Sequence, residues 1–98
     1  MIFFNFKKQQ VILEDSSYQH IVEIHPEVTL EQIKATLEDP DEVRKSSHHF
    51  ASELYYLLKS KKRFICVVVK ICPDGNFVST AMTTTMPKEG RVIYRKGE

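Results

Sequence analysis

Four histidines, His20, His25, His48 and His49, are the residues of this 98-residue chain best suited to moving protons near neutral pH. Metal binding is the other common use of histidine, and their spacing argues against it. His20 and His25 are five apart, which separates them around a helix where an i, i+4 pair would share one face. His48 and His49 are adjacent, so on an extended chain they point oppositely. No cysteine or carboxylate pattern completes a zinc set, and no metal or cofactor is expected. The sequence also lacks a Gly-rich phosphate loop, a Ser or Cys triad motif and a dinucleotide fingerprint. His25 precedes Pro26 and can simply end a helix, whereas His20 has no apolar periodic role. His20 is therefore the candidate acid or base, weighed against a plain surface or capping histidine.

Lys70 is the second candidate, because it interrupts an otherwise apolar run from Phe64 to Cys72. On a strand it shares one face with Cys66 and Val68, while Ile65, Val67, Val69 and Ile71 form the other, the surface to be covered by helices. Pro73-Asp74-Gly75-Asn76 is a turn signal, and Phe77 to Thr85 returns as a Thr-rich strand. If Cys72 faces Phe77, Lys70 lies opposite Ser79 and Thr83 opposite Cys66. A one-residue shift brings Thr80 opposite Lys70 and puts Met82 and Thr84 on that face. Either register flanks a cation with hydroxyls on the sheet face away from the helices, a layout suited to phosphate. The plainer reading is an open-face lysine among threonines chosen for strand propensity.

The elements that must position these groups follow from periodicity. Ile2-Phe3-Phe4 and Val11-Ile12-Leu13, separated by Lys7 to Gln10, predict a strand pair or one bent strand. Asp15, Ser16 and Ser17 are N-cap candidates for a first helix with Ile21, Ile24 and Val28 on its buried stripe, cut short at His25-Pro26. Thr29 and Gln32 form a capping-box pattern before Leu30, Ile33 and Leu37, and Asp39-Pro40-Asp41 stops that second helix. Asp41 to Ser47 reads as polar and irregular, or as irregular with one more helical turn. His49 to Lys59 fits a helix through Phe50, Leu54, Leu57 and Leu58, or a strand through Phe50, Leu54, Tyr56 and Leu58; Tyr55-Tyr56 favours the strand. Ser60 to Arg63 is a basic turn, and Val92-Ile93-Tyr94 a short edge strand. The fold class is α+β: two short N-terminal helices packed on a curled antiparallel sheet of about four strands, in one domain over residues 1–98.

Apolar residues at 42% suffice for one modest core, and charged residues at 28% are ordinary. The run Phe64 to Val69 is far too short to span a bilayer, and no signal-peptide pattern opens the chain, so no membrane partner is expected. Cys66 and Cys72, if on one strand, are about 20 Å apart, too far for a disulfide, and read as core thiols of a cytoplasmic protein. The net charge of +1 conceals an asymmetry. Residues 1–42 carry nine acidic and three basic side chains, whereas residues 43–98 carry four acidic and eleven basic. A basic face that attracts a polyanion is one consequence, and mutual pairing of the two halves is the other.

Several fragments together resemble a known group. Tyr18-Gln19-His20-Ile21, His25-Pro26-Glu27, Asp39-Pro40-Asp41-Glu42-Val43, Tyr55-Tyr56, Cys66 to Lys70, and Asp74-Gly75 leading to Ser79-Thr80-Ala81 are similar to small phage and toxin domains. These are the barnase, EndoU, colicin and RelE-like nucleases, and the resemblance covers roughly residues 15–90. It implies metal-independent RNA cleavage of the toxin or phage-effector type on the open sheet face, with RNA as partner and an antitoxin or immunity protein as a further one. His20 matches the first-helix histidine and Thr80 the threonine of the late Thr-Ala-aromatic motif, where Met82 departs from the aromatic. The expected catalytic set is His20, Lys70, Thr80 and Thr83, with Arg44, Lys45, Tyr56, Lys62 and Arg63 as substrate contacts. A non-catalytic RNA- or protein-binding module of the same fold is the alternative, as is a protein-binding surface on the acidic helices.

Overall fold

Thr29 begins the second helix as its sequence requires. Its hydroxyl accepts from Gln32 N while the Gln32 side chain accepts from Thr29 N, closing the capping box. The computed structural model describes residues 1–49, 51–87 and 89–98. Among them the chain forms strands β1 (Ile2–Phe4) and β2 (Gln10–Ile12), helices α1 (Asp15–Ile24) and α2 (Leu30–Glu38), then β3 (Glu42–Lys45), β4 (Ser52–Ser60), β5 (Arg63–Cys72), β6 (Gly75–Thr84) and β7 (Arg91–Arg95). Helix α1 stops before His25-Pro26 and α2 before Asp39-Pro40, where proline prevents continuation.

The sheet is larger than its sequence suggests. Seven described strands run in the order β1-β2-β6-β5-β4-β3-β7, and the β2–β6 pair is parallel, so the sheet is mixed where four antiparallel strands were expected. The segment 42–45, expected to be irregular, is a strand because β4 and β7 both pair with it. Its polar residues fit a strand whose charges are matched across the ladder. Glu42 accepts from Arg95 Nε at 3.0 Å and from Arg44 Nε. The preference for a strand over His49 to Lys59 holds from Ser52, where β4 begins, while His49 and Ala51 precede the strand; Phe50, part of that pattern, lies outside the described residues.

One face of the sheet carries the core. Ile65, Val67 and Val69 of β5, Tyr55 of β4, Val43 of β3 and Val78 and Ala81 of β6 are buried with Ile21 of α1 and Ile33 and Leu37 of α2. Each aliphatic side chain fully withdrawn from water contributes about 1.5–3 kcal/mol. The sheet curls around this layer, because the β1–β2 turn folds against the far strands. Phe6 packs on Tyr94 of β7 with ring centroids 4.4 Å apart, and buried Asn5 donates to the Tyr55 hydroxyl at 3.2 Å.

The connection from β6 to β7 crosses the other face. In the sheet β5, β4 and β3 lie between these strands, a distance of about 19 Å at ordinary strand spacing. The described residues of that connection, 85–87 and 89–90, form a strap across that face. Beneath it Leu54, Tyr56 and Cys66 are buried with Phe64, Val68 and Met82 in a small second cluster. Gly90 seats the strap. A Cβ there would lie 2.1 Å from the Lys45 carbonyl oxygen, and its φ of +85° also favours glycine.

The charge asymmetry is partly internal pairing. Lys96 Nζ binds Asp39 at 2.8 Å, and Arg95 binds Glu42, each joining the basic half to the acidic one. No helix is long and apolar enough to cross a membrane among the described residues.

Candidate active site on the open sheet face

Lys70 lies opposite Ser52 on β4 and Phe77 on β6, on the face away from the helices. Neither register considered from sequence occurs: Lys70 is opposite Phe77, not Ser79 or Thr80, and Cys66 is opposite Met82, not Thr83. The turn is tight, with Cys72 opposite Gly75, and a bulge inserts Ser79 between the pairs Val69–Val78 and Val68–Thr80. Beyond the bulge Thr80, Met82 and Thr84 face outward opposite Val68, Cys66 and Phe64. A bulge of this kind re-aims side chains at a sheet surface. Here Ser79 and Thr80 both reach the cleft that Lys70 borders.

That cleft has a volume of about 720 Å³. Its floor is Leu54, Val68 and Ala51, and its polar rim combines Lys70, His48, His49 and Glu89 with the hydroxyls of Ser46, Ser52, Ser79 and Thr80. Ser46 organises one wall. Its Oγ accepts from the backbone N–H groups of His48 (3.2 Å) and His49 (3.1 Å), shaping the turn that presents both imidazoles. The same hydroxyl donates to Glu89 Oε1 at 2.6 Å. This hydrogen bond, with the nearby His48 and the backbone of His48 and Ser47, holds the Glu89 carboxyl below its usual range against the opposing effect of burial. The cleft therefore gathers two imidazoles, a carboxylate that is ionised at neutral pH, one ammonium and four hydroxyls above an apolar floor.

The other expected residues are distributed differently. His20 is exposed on α1, which packs on the helix-covered face, so the sheet separates it from Lys70 and Thr80. Thr83 lies opposite Ile65 on that same covered face and donates to Glu27 at 3.2 Å. Arg44 faces the open side but is engaged by Glu42, and Lys45 lies opposite Glu53 and Arg91. Tyr56 is only 4% exposed and sits beside Cys66, whose thiol burial pushes up to about 12; its ring offers little free surface for stacking. Lys62 forms the β4–β5 turn with φ of +135°, and Arg63 starts β5 at that tip, remote from the cleft. Of the expected set the structure joins Lys70 and Thr80.

Sequence reasoning missed Ser46, Ser52, His48, His49 and Glu89 as members of one site. Ser46 two residues before His48 was a local turn signal that could have been used. Glu89 carried no local signal, because its place depends on the strap. Among the described residues no group of three or more His, Cys, Asp or Glu side chains is placed to hold a metal. No family model matches the chain, and neither the curated proteins nor the solved structures contain a match to it.

Proposed function

We propose that the open-face cleft binds an RNA strand and cleaves it without a metal, by attack of the ribose 2′-hydroxyl on the adjacent phosphorus. The observation that carries this reading is the gathering of His48, His49, Lys70 and Glu89 around hydroxyl donors in one cleft. One histidine removes the 2′-hydroxyl proton as O2′ bonds to phosphorus, and the other protonates the departing O5′. The products are a 2′,3′-cyclic phosphate and a free 5′-hydroxyl. Lys70 and the Ser79 and Thr80 hydroxyls take the charge that grows on the phosphoryl oxygens, and the apolar floor accepts a base. Glu89 orients the His48 turn through Ser46. His20 has no part in the reaction, in contrast to the resemblance.

The test is incubation of purified protein with total RNA in the presence of a chelator. Wild type and His20→Ala should cleave, and His48→Ala combined with His49→Ala should lose at least a hundredfold in rate, the scale of acid–base catalysis. Failure of wild type on every RNA overturns the proposal.

A second reading, a module that uses this face to bind an antitoxin-like protein, is favoured by one observation. Ile2 and Phe4 on edge strand β1 are 57% and 51% exposed, and register places Ile2 with Ile12 and Phe77 on the open side. That reading predicts no RNA turnover under any condition.

A further inference from the structure

Glu27, Lys59, Ser60, Arg63 and Thr83 enclose a second cleft of about 460 Å³ at the tip of the β4–β5 hairpin. Thr83 lies opposite Ile65, a core residue of the helix-covered face, so this cleft and the one bordered by Lys70 are on different sides of the sheet. They are also separated along the hairpin, from the Ser52–Lys70 pair to the Ser60–Arg63 pair, by about 25 Å.

One wall of this second cleft is a carboxylate in a fixed orientation. Glu27 Oε2 accepts from Thr83 Oγ1 at 3.2 Å and lies 3.6 Å from His25 Nδ1. Backbone N–H donation at Glu27 itself, then the Thr83 hydroxyl and His25, hold its carboxyl below the usual range. At neutral pH the group can therefore only accept hydrogen bonds, and two such bonds leave further acceptor capacity. The opposite wall is cationic. Lys59 and Arg63 make no ion pair with any described acid, and Lys61 and Lys62 continue the positive charge around the turn.

Two unpaired cations select an anion, and the planar fork of arginine fits phosphate oxygens in a bidentate manner. A carboxylate beside them penalises a bare anion and favours a ligand that carries a hydroxyl donor next to its phosphate. Nucleotide sites use the same division of labour, with an acidic side chain on a ribose hydroxyl and separate groups on the phosphate. We propose that this cleft binds a ribose phosphate, with Arg63 and Lys59 on the phosphate and Glu27, oriented by Thr83, accepting from a ribose hydroxyl. The site is independent of the proposed cleavage cleft and stands or falls separately from it.

A two-dimensional amide NMR titration of the full chain with ribose 5-phosphate, methyl phosphate and inorganic phosphate tests it. Ribose 5-phosphate should give saturable shifts at residues 25–27, 59–63 and 83. The two ligands without a ribose should bind about tenfold more weakly, the scale of one charge-assisted hydrogen bond. Arg63→Gln and Lys59→Gln, both at the exposed tip, should each weaken all three ligands. Glu27→Gln should abolish the ribose preference and retain phosphate binding. The proposal is overturned by the absence of saturable shifts at these amides, by equal binding of all three ligands, or by a ribose preference that survives Glu27→Gln. These variants do not alter the Lys70 cleft, so RNA cleavage can fail while this result holds, and the reverse.

Discussion

The Ser46 hydroxyl donates to Glu89 Oε1 at 2.6 Å across 43 positions of chain, tying the histidine-bearing turn to the strap that crosses the sheet. Ser46 is 7% exposed and also accepts from two backbone N–H groups, so one small side chain satisfies three polar groups. Removing it leaves those groups short of partners. Ser46→Ala should lower stability by about 1–3 kcal/mol in chemical denaturation and slow RNA cleavage by loosening both imidazoles.

Gly90 is the steric counterpart of that hydrogen bond. Any Cβ at this position meets the Lys45 carbonyl at 2.1 Å and is also strained by the positive φ. Gly90→Ala should therefore lift the strap, cost about 1–3 kcal/mol and reduce cleavage through the displacement of Glu89. Alanine at Gly97, whose φ of +87° carries the same backbone penalty but which has nothing within 4 Å, should leave the strap in place and cost less. Comparison of the two melting curves checks the difference.

Glu89 also sets a pH dependence. Its folded-state carboxyl titrates below the ordinary glutamate range, so its contribution to stability is complete above that range and is lost as pH falls through the folded value. Melting temperatures of wild type and Glu89→Gln should differ by a constant amount near neutrality. The gap should narrow progressively below pH of about 4.5.

Core and cleft should respond separately on the two faces of one strand. Ile65 is 1% exposed under the helices, so Ile65→Ala should cost about 2–5 kcal/mol. Lys70 is exposed on the opposite face, so Lys70→Ala should change stability by no more than about 0.5 kcal/mol. A loss of cleavage in Lys70→Ala then reports on the reaction and not on folding.

Local signals made the helices, the β4–β5–β6 strands and the core face legible in the sequence. The Thr29–Gln32 capping box, the two X-Pro stops and the alternation through Ile65, Val67 and Val69 each act within a few residues. What escaped depends on distant pairing. Residues 42–45 have no strand pattern of their own and are ordered by partners in β4 and β7. The parallel β2–β6 pair joins segments more than sixty positions apart, and the tight turn and the Ser79 bulge set a register that differs from both candidates. The same reason explains the site. Lys70 and Thr80 were legible because a hairpin relates them, whereas Glu89 reaches the cleft only through the strap, and His20 is carried by α1 to the other side of the sheet.

The most direct test of the central claim is product analysis of a short RNA oligonucleotide incubated with the protein and a chelator. The proposed mechanism predicts a 2′,3′-cyclic phosphate at the new end, and no cleavage when the nucleotide at the scissile bond is replaced by its 2′-deoxy form. Cleavage that persists at the 2′-deoxy position, or that requires a divalent metal, would contradict it.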